Sequence, residues 1–355
     1  MDTDREPNVA DATQEQGFGF KLPPEAIRLS ELINPIVPWA IRVAATLRVA
    51  DLIAEGVTNV ADIAAKAEVN ADALNRVLRL LTYSDVFTQT QPGVYANTPV
   101  SELLRTDHPM QMHGWLDLEG ASCRWDAVHI YMLKAVQTGK PVYTDLYGRS
   151  FWDDISANRK LSESFDSFME QIHSWTVGDV VAGHDWSSAE HVVDVGGGSG
   201  FLLAEILRAN PGLRGTLVDK PSTAETTRQR DPFTDLDGRL RVVGGSFFDD
   251  LPTGADVYVV ASVLHNWGDE DAVRILANCA DAARPGGTVL IVEGLIDGGE
   301  DQKYDCETDV LMLVALGGRK RTVEEFRDLV AAAGMRLASQ HITPSGQSLL
   351  ACVRD

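Results

Sequence analysis

A short apolar segment that runs into a glycine-rich turn constrains the fold of this 355-residue chain more than any other feature. The segment is Val192–Val195, and the turn that follows it reads Gly-Gly-Gly-Ser-Gly and ends at Gly200. A second apolar run ends at Asp219, nineteen residues later. This spacing predicts a βαβ unit whose crossover helix covers Phe201–Ala209 and whose second strand has an acid at its carboxyl end. A carboxylate in that position can accept hydrogen bonds from two ribose hydroxyls.

Glycine-rich turns bind several kinds of nucleotide, and the neighbouring residues separate these ligands. A P-loop would require Gly-Lys-Ser/Thr, and a dinucleotide fingerprint would require a third glycine where this chain has Phe201. Asp194, two residues before the turn begins at Gly196, would repel a pyrophosphate but can organise the surroundings of an ammonium group and a sulfonium. Both groups occur in S-adenosylmethionine. An ordinary strand-to-helix turn, or a site for another nucleotide, stays open at this point.

A second group of chemically useful residues follows two further predicted strands. Asp256–Leu264 is predicted as a buried parallel strand that leads directly into His265 and then Trp267. Another apolar strand, Thr288–Val292, delivers Glu293 twenty-eight residues after the histidine. Because ligands of open α/β sheets bind at the carboxyl ends of the strands, these side chains are expected to face the same crevice as the glycine turn.

The motifs in this order resemble the S-adenosylmethionine-dependent small-molecule O-methyltransferases of the plant caffeate and bacterial polyketide-tailoring type. The resemblance extends from about residue 25 to the C-terminus. Besides the glycine turn and Asp219, it is carried by GSFFDDLP at 245–252, HNWGDE at 265–270, RPGG at 284–287 and GGRKRT at 317–322. It implies an α/β fold, with a Rossmann-like class I methyltransferase domain that follows an N-terminal, mostly helical winged-helix dimerisation domain.

In that family a histidine is the general base, so the resemblance implies that His265 takes the proton from a phenolic hydroxyl of an aromatic natural product. A phenol with a pKa of about 10 is mostly protonated at neutral pH. A positioned imidazole therefore contributes roughly 10² to 10⁴ in rate. By the same resemblance Glu293 fixes the tautomer of the histidine. Where relatives commonly carry a second acid this chain has Lys320, and Asp309 is the candidate that compensates.

The resemblance also assigns the residues that contact the cofactor, which are Asp194, Gly196, Gly198, Asp219, Ser246, Phe247, Ser262 and Trp267. Ser246 replaces the usual acid at its position, which leaves Phe247 as the adenine contact. For the aromatic acceptor the resemblance implies Trp152, Phe165 and Met169, with Met169 near the reacting methyl group. Plain core packing is the alternative for each of these three residues. No metal is expected, because the sequence has no spacing of Asp and Asn ligands typical of cation-dependent methyltransferases.

The N-terminal region carries the outline of a DNA-binding module. Two short helices, Asp62–Ala67 and Asn70–Thr82, precede two short strands that are joined by a Gln-Pro-Gly turn. Between Thr58 and Arg105, however, four Lys or Arg stand against five Asp or Glu, and the whole chain has a formal charge of −21. A phosphate backbone would be repelled, so no nucleic-acid partner is expected. The resemblance implies instead that this module forms a homodimer.

Four segments are expected along the chain. Residues 1–17 are predicted to be a disordered tail, 18–109 the dimerisation domain, 110–180 a helical linker that contributes to the substrate pocket, and 181–355 the cofactor-binding domain. The chain has no apolar run long enough for a transmembrane helix, and its four cysteines lack any paired spacing. A cytoplasmic protein that does not act on a membrane is expected.

Three further elements are predicted in the C-terminal part. A helix over Asp269–Ala283 stops at the RPGG segment, a capping box at Thr322 starts a helix that runs to about Ala333, and Ser348–Val353 forms a final antiparallel strand. The basic run 319–321 is interpreted as a solvated face.

Two other functions remain open at this level. Some bacterial relatives retain the cofactor but catalyse decarboxylation with hydroxylation, and they typically lack the histidine, so His265 favours methyl transfer. A winged-helix regulator that uses the cofactor as an effector is the other alternative. The acceptor atom, oxygen or nitrogen, is not decided by a histidine base.

Overall fold

The computed structural model describes residues 22–230, 233–236, 238–296 and 302–354. The predicted tail, residues 1–17, lies outside this part of the chain. Two compact units divide between Ser101 and Glu102. The boundaries expected at residues 109 and 180 stay predictions.

The first unit consists of short helices and one β-hairpin. Its elements are α1 (Pro24–Leu32), α2 (Ile36–Thr46), α3 (Val49–Ala54), α4 (Val60–Lys66), α5 (Ala71–Tyr83), β1 (Phe87–Gln91) and β2 (Val94–Asn97), followed at the division by α6 (Pro99–Glu102). Helix α5 begins where the Asn70 side chain accepts a hydrogen bond from the backbone N–H of Ala73, which satisfies one of the free donors of the first turn. Helices α4 and α5 and the hairpin match the predicted winged-helix outline.

The second unit starts with a helical region. It contains α7 (His113–Leu116), α8 (Ala121–Ala127), a 3-10 turn (Val128–Tyr131), α9 (Met132–Thr138), α10 (Tyr143–Tyr147), α11 (Phe151–Ala157), α12 (Arg159–Ser174) and α13 (Val177–Ala182). An aromatic core that includes Trp125, Phe151 and Phe165 holds these helices together, and Val314 joins it from a later helix. Burial of one such large side chain stabilises the fold by roughly 1.5 to 3 kcal/mol.

A seven-stranded sheet forms the rest of the second unit. Its elements in chain order are β3 (His191–Val195), α14 (Phe201–Ala209), β4 (Arg214–Asp219), α15 (Pro221–Arg230), β5 (Leu240–Gly244), β6 (Val257–Ala261), α16 (Asp269–Ala282), β7 (Thr288–Glu293), α17 (Lys303–Ala315), α18 (Val323–Ala332), β8 (Arg336–Ile342) and β9 (Ser348–Val353). The strand order is β5-β4-β3-β6-β7-β9-β8. Strands β3 to β7 are parallel, and β9 runs antiparallel to both of its neighbours. The predicted crossover helix, the final antiparallel strand and the capping box at Thr322 are confirmed.

Both faces of the sheet are buried, which explains the continuous apolar runs in its strands. Along β7, Val289 and Ile291 belong to the core on one face, whereas Leu290 and Val292 belong to the core on the other. The carboxyl ends of the parallel strands remain available for ligands. Among the described residues, no helix is both long enough and apolar enough to span a membrane.

Candidate active site

The glycine turn between β3 and α14 exposes backbone at the carboxyl edge of the sheet. Gly196, Gly198 and Gly200 have positive φ angles of 74°, 58° and 78°, a conformation that favours glycine. At Gly197 a Cβ atom would overlap the carboxylate of Asp194, so a side chain there would displace that acid. The turn therefore has to be glycine-rich to bring backbone this close to the strand-end carboxylate.

Asp194, near the end of β3, is a buried acid whose carboxylate is not satisfied by hydrogen bonds among the described residues. Its residue is 1% exposed, and neither carboxylate oxygen has a hydrogen-bond partner in the described structure. Burial, reinforced by the negative charge of Asp219, raises the pKa of Asp194 to about 7. An unpaired buried carboxylate is costly, and a ligand with a positive group relieves that cost.

Asp219 lies at the end of β4, where the sequence placed the ribose-binding acid. Its Oδ2 atom accepts a hydrogen bond of 2.8 Å from the backbone N–H of Gly198, and Oδ1 accepts one of 2.7 Å from the backbone N–H of Lys220. Burial raises the pKa of Asp219, although these two hydrogen bonds act in the opposite direction. The contact with Gly198 ties the second strand of the βαβ unit to the glycine turn.

A second buried acid, Asp166 on α12, was not identified from the sequence. Burial raises its pKa to about 7, the charge of Asp219 adds to the effect, and the guanidinium of Arg230 opposes it. An acid on an amphipathic helix looks like a solvent-facing residue in sequence, so no signal distinguished it. The three acids thus lie on the same side of the site, where Lys220 and Arg230 are nearby cations.

Aromatic side chains border the same edge. Phe247 packs edge-on against Trp267, with 5.7 Å between the ring centroids, and it also lies next to the glycine turn at Gly196. Ser246 accepts a hydrogen bond from the backbone N–H of Phe248 through its hydroxyl. The adenine contact assigned to Phe247 and the cofactor contacts assigned to Ser246 and Trp267 stay predictions.

Strand β6 is shorter than predicted, and a tight turn between its end and His265 replaces the last predicted strand residues. The expected strand Asp256–Leu264 stops at Ala261, Ser262 adopts a left-handed conformation with φ of 54°, and a 3-10 turn covers Leu264–Asn266. The prediction was wrong here because an apolar run cannot reveal where a strand gives way to a tight turn. This turn holds His265 at the edge of the sheet.

His265 and Glu293 form a close pair. The Nδ1 atom of His265 lies 2.6 Å from Oε2 of Glu293, and the backbone N–H of His265 donates to Oε1 at 3.2 Å. Glu293 is 1% exposed, and its burial alone would raise its pKa. The charge and the hydrogen bonds of His265, with a further contribution from Lys320, outweigh burial and hold the pKa of Glu293 below its usual value. With Nδ1 engaged by the carboxylate, Nε2 is the ring nitrogen left for an acceptor hydroxyl.

The segment Gly317–Thr322 fastens the turn that carries the histidine. Arg321 donates to the backbone carbonyls of Leu264 and Trp267 at 2.9 and 2.8 Å and forms an ion pair with Asp269 at 2.8 Å. Gly318 passes so close that a Cβ atom would overlap the carbonyl of His265. The prediction of a solvated basic face was wrong for Arg321, which is 1% exposed, and for Lys320, which is also buried.

Lys320 and Asp309 take positions next to the pair. The Lys320 Nζ atom donates to the backbone carbonyl of Gly294 at 3.2 Å and forms an ion pair of 3.2 Å with Asp305. Asp309 accepts a hydrogen bond of 2.6 Å from the backbone N–H of Lys320. The role of Asp309 as a second carboxylate beside the base stays a prediction.

A second histidine, His173, lies near the first and was also missed. Its Nε2 atom is 3.2 Å from the hydroxyl of Ser262, one of the predicted cofactor contacts. Burial, with a contribution from the charge of His265, lowers the pKa of His173 to about 4, so its ring is neutral at physiological pH. Its position four residues after Met169 on α12, on the same helix face, was the available signal.

The residues predicted for the acceptor lie on α11 and α12. Phe165 packs edge-on against Trp125 and Trp152 at 5.6 and 5.7 Å, and Met169 follows one helical turn later, partly buried. The ring of Trp152 is nearly parallel to that of Trp267 at 6.5 Å, and the Lys220 ammonium lies 4.4 Å from its centre. Trp152 thus contacts residues of the cofactor edge as well as the aromatic core. Its assignment to the acceptor pocket stays a prediction.

The cofactor edge fits S-adenosylmethionine. The unpaired carboxylate of Asp194 suits a cationic group, Asp219 at the end of β4 offers a carboxylate that could accept hydrogen bonds from ribose hydroxyls, and the glycine turn admits close contact with backbone. Together with the sheet order, these features define a class I methyltransferase fold with a mixed sheet and an added N-terminal domain.

Comparisons with known proteins agree. Residues 129–336 match the family model of the O-methyltransferase domain, and residues 30–107 match that of the O-methyltransferase dimerisation domain. The chain belongs to the S-adenosylmethionine-dependent O-methyltransferases, and S-adenosylmethionine is its cofactor.

Three relatives illustrate the range of the family. A 2,7-dihydroxy-5-methyl-1-naphthoate 7-O-methyltransferase from Streptomyces carzinostaticus is 42% identical over 89% of this chain and 94% of its own length. Aclacinomycin 10-hydroxylase RdmB from Streptomyces purpurascens is 40% identical over 90% of this chain and 86% of its own. The crystal structure of NcsB1, an O-methyltransferase from neocarzinostatin biosynthesis in complex with S-adenosylmethionine and 2-hydroxy-5-methyl naphthoic acid, superposes with a TM-score of 0.87 at 41% identity, covering 92% of this chain and 98% of NcsB1.

Proposed function

We propose that this enzyme methylates a phenolic hydroxyl of an aromatic natural product, with His265 as the general base. The pair formed by His265 and Glu293 at the carboxyl edge of β6 and β7 is the observation that supports this proposal most directly. It lies at the same sheet edge as the glycine turn, because β6 is the immediate neighbour of β3.

In this proposal, the acids near the glycine turn bind the cofactor, and the pair of His265 and Glu293 removes the proton. When bound, S-adenosylmethionine supplies a methyl carbon that its sulfonium makes electrophilic. Asp194 and Asp219 hold the cofactor through its cationic group and its ribose. His265 removes the hydroxyl proton through Nε2, and the negative charge of Glu293 stabilises the imidazolium that forms. Burial of Glu293 strengthens this interaction, because the carboxylate is shielded from water.

The aromatic residues of α11 and α12 support a planar acceptor. Trp152, Phe165 and Met169 line one side of the proposed pocket, and large apolar side chains beside a cofactor edge are typical of sites for planar ligands. Among the relatives, the acceptor of one O-methyltransferase is a dihydroxynaphthoate, and NcsB1 was crystallised with a naphthoic acid. A bicyclic or larger phenol is therefore the acceptor class that we propose.

Hydroxylation is the second candidate, because a hydroxylase is 40% identical to this chain over most of its length. Incubation with labelled cofactor and a panel of hydroxynaphthoates and polyketide phenols, followed by mass spectrometry, separates the two reactions. Methyl transfer adds a labelled methyl group to the product. An added oxygen with no label incorporated would favour hydroxylation, and a labelled methyl group on the carboxylate of a hydroxynaphthoate, with none on its hydroxyl, would contradict the phenolic acceptor.

Replacement of His265 by Ala tests the base. The methylation rate is expected to fall by roughly 10² to 10⁴-fold, because the proton then has no positioned acceptor. Cofactor affinity, measured by calorimetry, should stay within about twofold. His341→Ala, which removes an exposed histidine of β8, is the matched control and should retain full activity. A fully active His265→Ala enzyme would end the proposal for this residue.

We further propose that the first unit mediates a homodimer. Large apolar side chains are exposed on α1, on α2 and at the turn between them, namely Leu29, Leu32, Ile33, Ile36 and Trp39. A monomeric protein rarely exposes such a group of apolar side chains. The match of residues 30–107 to a dimerisation domain supports the same conclusion. Sedimentation of the full chain should give a dimer, and a double substitution of Leu32 and Ile36 by Asp should shift it toward monomer.

A further inference from the structure

Lys320 is a buried lysine whose side chain binds the backbone next to Glu293. Its residue is 8% exposed, and its ammonium donates to the carbonyl of Gly294, the residue that directly follows Glu293. Asp305 on α17 partly balances its charge at 3.2 Å. A lysine rarely becomes this buried unless it is paired, so its position beside a buried glutamate calls for an explanation.

The charges around Glu293 come from few groups. His265 contacts it from the end of β6. Lys320, in the segment after α17, binds the carbonyl of the adjacent Gly294 and acts on Glu293 through its charge, and the neutral ring of His173 approaches from α12. Asp305 and Asp309 face Lys320, one through the ammonium and the other through the backbone N–H. Lys320 therefore brings an ammonium group close to a carboxylate that is almost completely buried, whereas the guanidinium of Arg321 binds the carbonyl of Leu264 and Asp269.

The need for that cation is greatest before the reaction. A histidine that is ready to accept a proton is neutral and provides no positive charge to Glu293. A buried carboxylate beside a neutral imidazole tends to take up a proton itself, because burial disfavours its charged form. A protonated Glu293 would no longer stabilise the imidazolium that forms when the acceptor loses its proton.

We propose that Lys320 is a positioning residue that keeps Glu293 ionised while His265 is neutral, so that the pair is ready for proton transfer. This inference rests on the proposed function, because it assumes that His265 is the base. The lysine takes the place of the second acid that relatives commonly carry, but with the opposite sign of charge. It acts on the resting enzyme, since it stabilises the carboxylate before the acceptor proton moves.

Two substitutions with opposite electrostatic consequences test the role of Lys320. Lys320→Met removes the cation and retains most of the buried volume, so Glu293 should ionise only at higher pH. Asp305→Asn leaves the ammonium without its balancing charge, so Glu293 should remain ionised to lower pH. We expect the acidic limb of the kcat profile to move upward in pH for the first variant and downward for the second.

The size of the effects can be bounded. Lys320→Met should lower kcat at neutral pH by roughly 10-fold to 100-fold, which is part of what a positioned base contributes. The KM for the acceptor and the Kd for the cofactor should change by less than about threefold. Lys320→Arg should restore the pH profile in part, because it returns the charge in a different shape.

Loss of activity without any shift of the acidic limb in either variant would overturn the proposal and leave Lys320 a structural residue. Shifts in the same direction in both variants would overturn it as well. If Lys320→Met does not fold, the Asp305→Asn profile still decides, since an unchanged or upward-shifted limb contradicts the role. The His265→Ala result is read separately, so a failure of the base assignment cannot be mistaken for a failure of this inference.

Discussion

The two halves of the catalytic edge handle charge in opposite ways. On the cofactor side, Asp194 and Asp166 are buried acids, Asp219 is a partly buried one, and Asp194 has no hydrogen-bond partner in the described structure. On the side of the base, Glu293 is paired with His265, and the nearby buried cations are paired with acids as well.

This difference indicates what each half is prepared for. The cofactor side carries negative charge that a cationic ligand relieves, so binding energy is available when the ligand arrives. On the side of His265, the charged side chains are paired with one another within the protein, and their hydrogen bonds fix the position of the imidazole. One half is therefore selective for the charge of its ligand, and the other is selective for geometry.

The largest effect is expected when the pair formed by His265 and Glu293 is disrupted. Glu293→Gln removes the negative charge that stabilises the imidazolium, while an amide oxygen can still accept from the backbone N–H of His265. The methylation rate should fall by roughly 10²-fold, measured at saturating cofactor and acceptor. Cofactor affinity should hardly change. Glu324→Gln, at an exposed acid of α18, is the control and should behave as the parent. A large loss of cofactor affinity in Glu293→Gln would contradict the division between the two halves.

The next largest effect is expected on the cofactor side, where Asp194 has no hydrogen-bond partner in the described structure. Asp194→Asn should weaken cofactor binding by about 10-fold or more, because a charged hydrogen-bond acceptor is lost. It should also stabilise the cofactor-free protein. Burial raises the pKa of Asp194 to about 7, so its carboxylate is harder to ionise in the folded protein than in the unfolded chain. The free-energy cost of ionising the buried Asp194 carboxylate is absent below about pH 4. It grows between about pH 4 and pH 7 and is complete above about pH 7.

Denaturant unfolding of the cofactor-free protein at pH 5 and pH 8 measures this penalty. The parent should lose roughly 1 to 3 kcal/mol more stability between these two pH values than Asp194→Asn does. Asp72→Asn, at an exposed acid of α5, should show the same loss as the parent. Identical pH dependence of the parent and Asp194→Asn would mean that Asp194 is not strained by its burial.

The smallest effect lies outside the charges of either half. Thr322 caps α18, where its hydroxyl accepts from the backbone N–H of Glu325 and the Glu325 side chain accepts from the backbone N–H of Thr322. Thr322→Ala should cost about 1 kcal/mol of unfolding free energy. The methylation rate and its pH profile should stay unchanged, since Arg321 still fastens the histidine turn. A shifted pH profile would show that the cap also sets the electrostatics of the base.

Much of the fold could be predicted because its signals are local. The apolar run before Gly196, the helix Phe201–Ala209 and the capping box at Thr322 depend on residues that are close in sequence. The end of β6 could not be predicted, because the left-handed turn at Ser262 interrupts an apolar run that continues to Leu264. Local hydrophobicity is the same on either side of that turn.

The candidate site divides in the same manner. Asp194, Asp219, His265 and Glu293 were found because each lies within, at the end of or directly after a predicted strand, and parallel strands end at one edge. His173 and Asp166 were missed because they lie on a helix whose approach to that edge depends on packing of the intervening helices. The burial of Lys320 and Arg321 was predicted incorrectly, since three adjacent basic residues look like a solvated face in sequence.

The sequence by itself determined the order of strands and helices and the residue types delivered to the catalytic edge, because hydrophobic periodicity, glycine and capping residues act over a few positions. Only the tertiary structure decided which charges are paired. Asp194 lacks a partner and Lys320 has one as a result of contacts between segments far apart in the chain. Burial and electrostatic environment depend on those distant contacts, so they become defined only when the chain has folded.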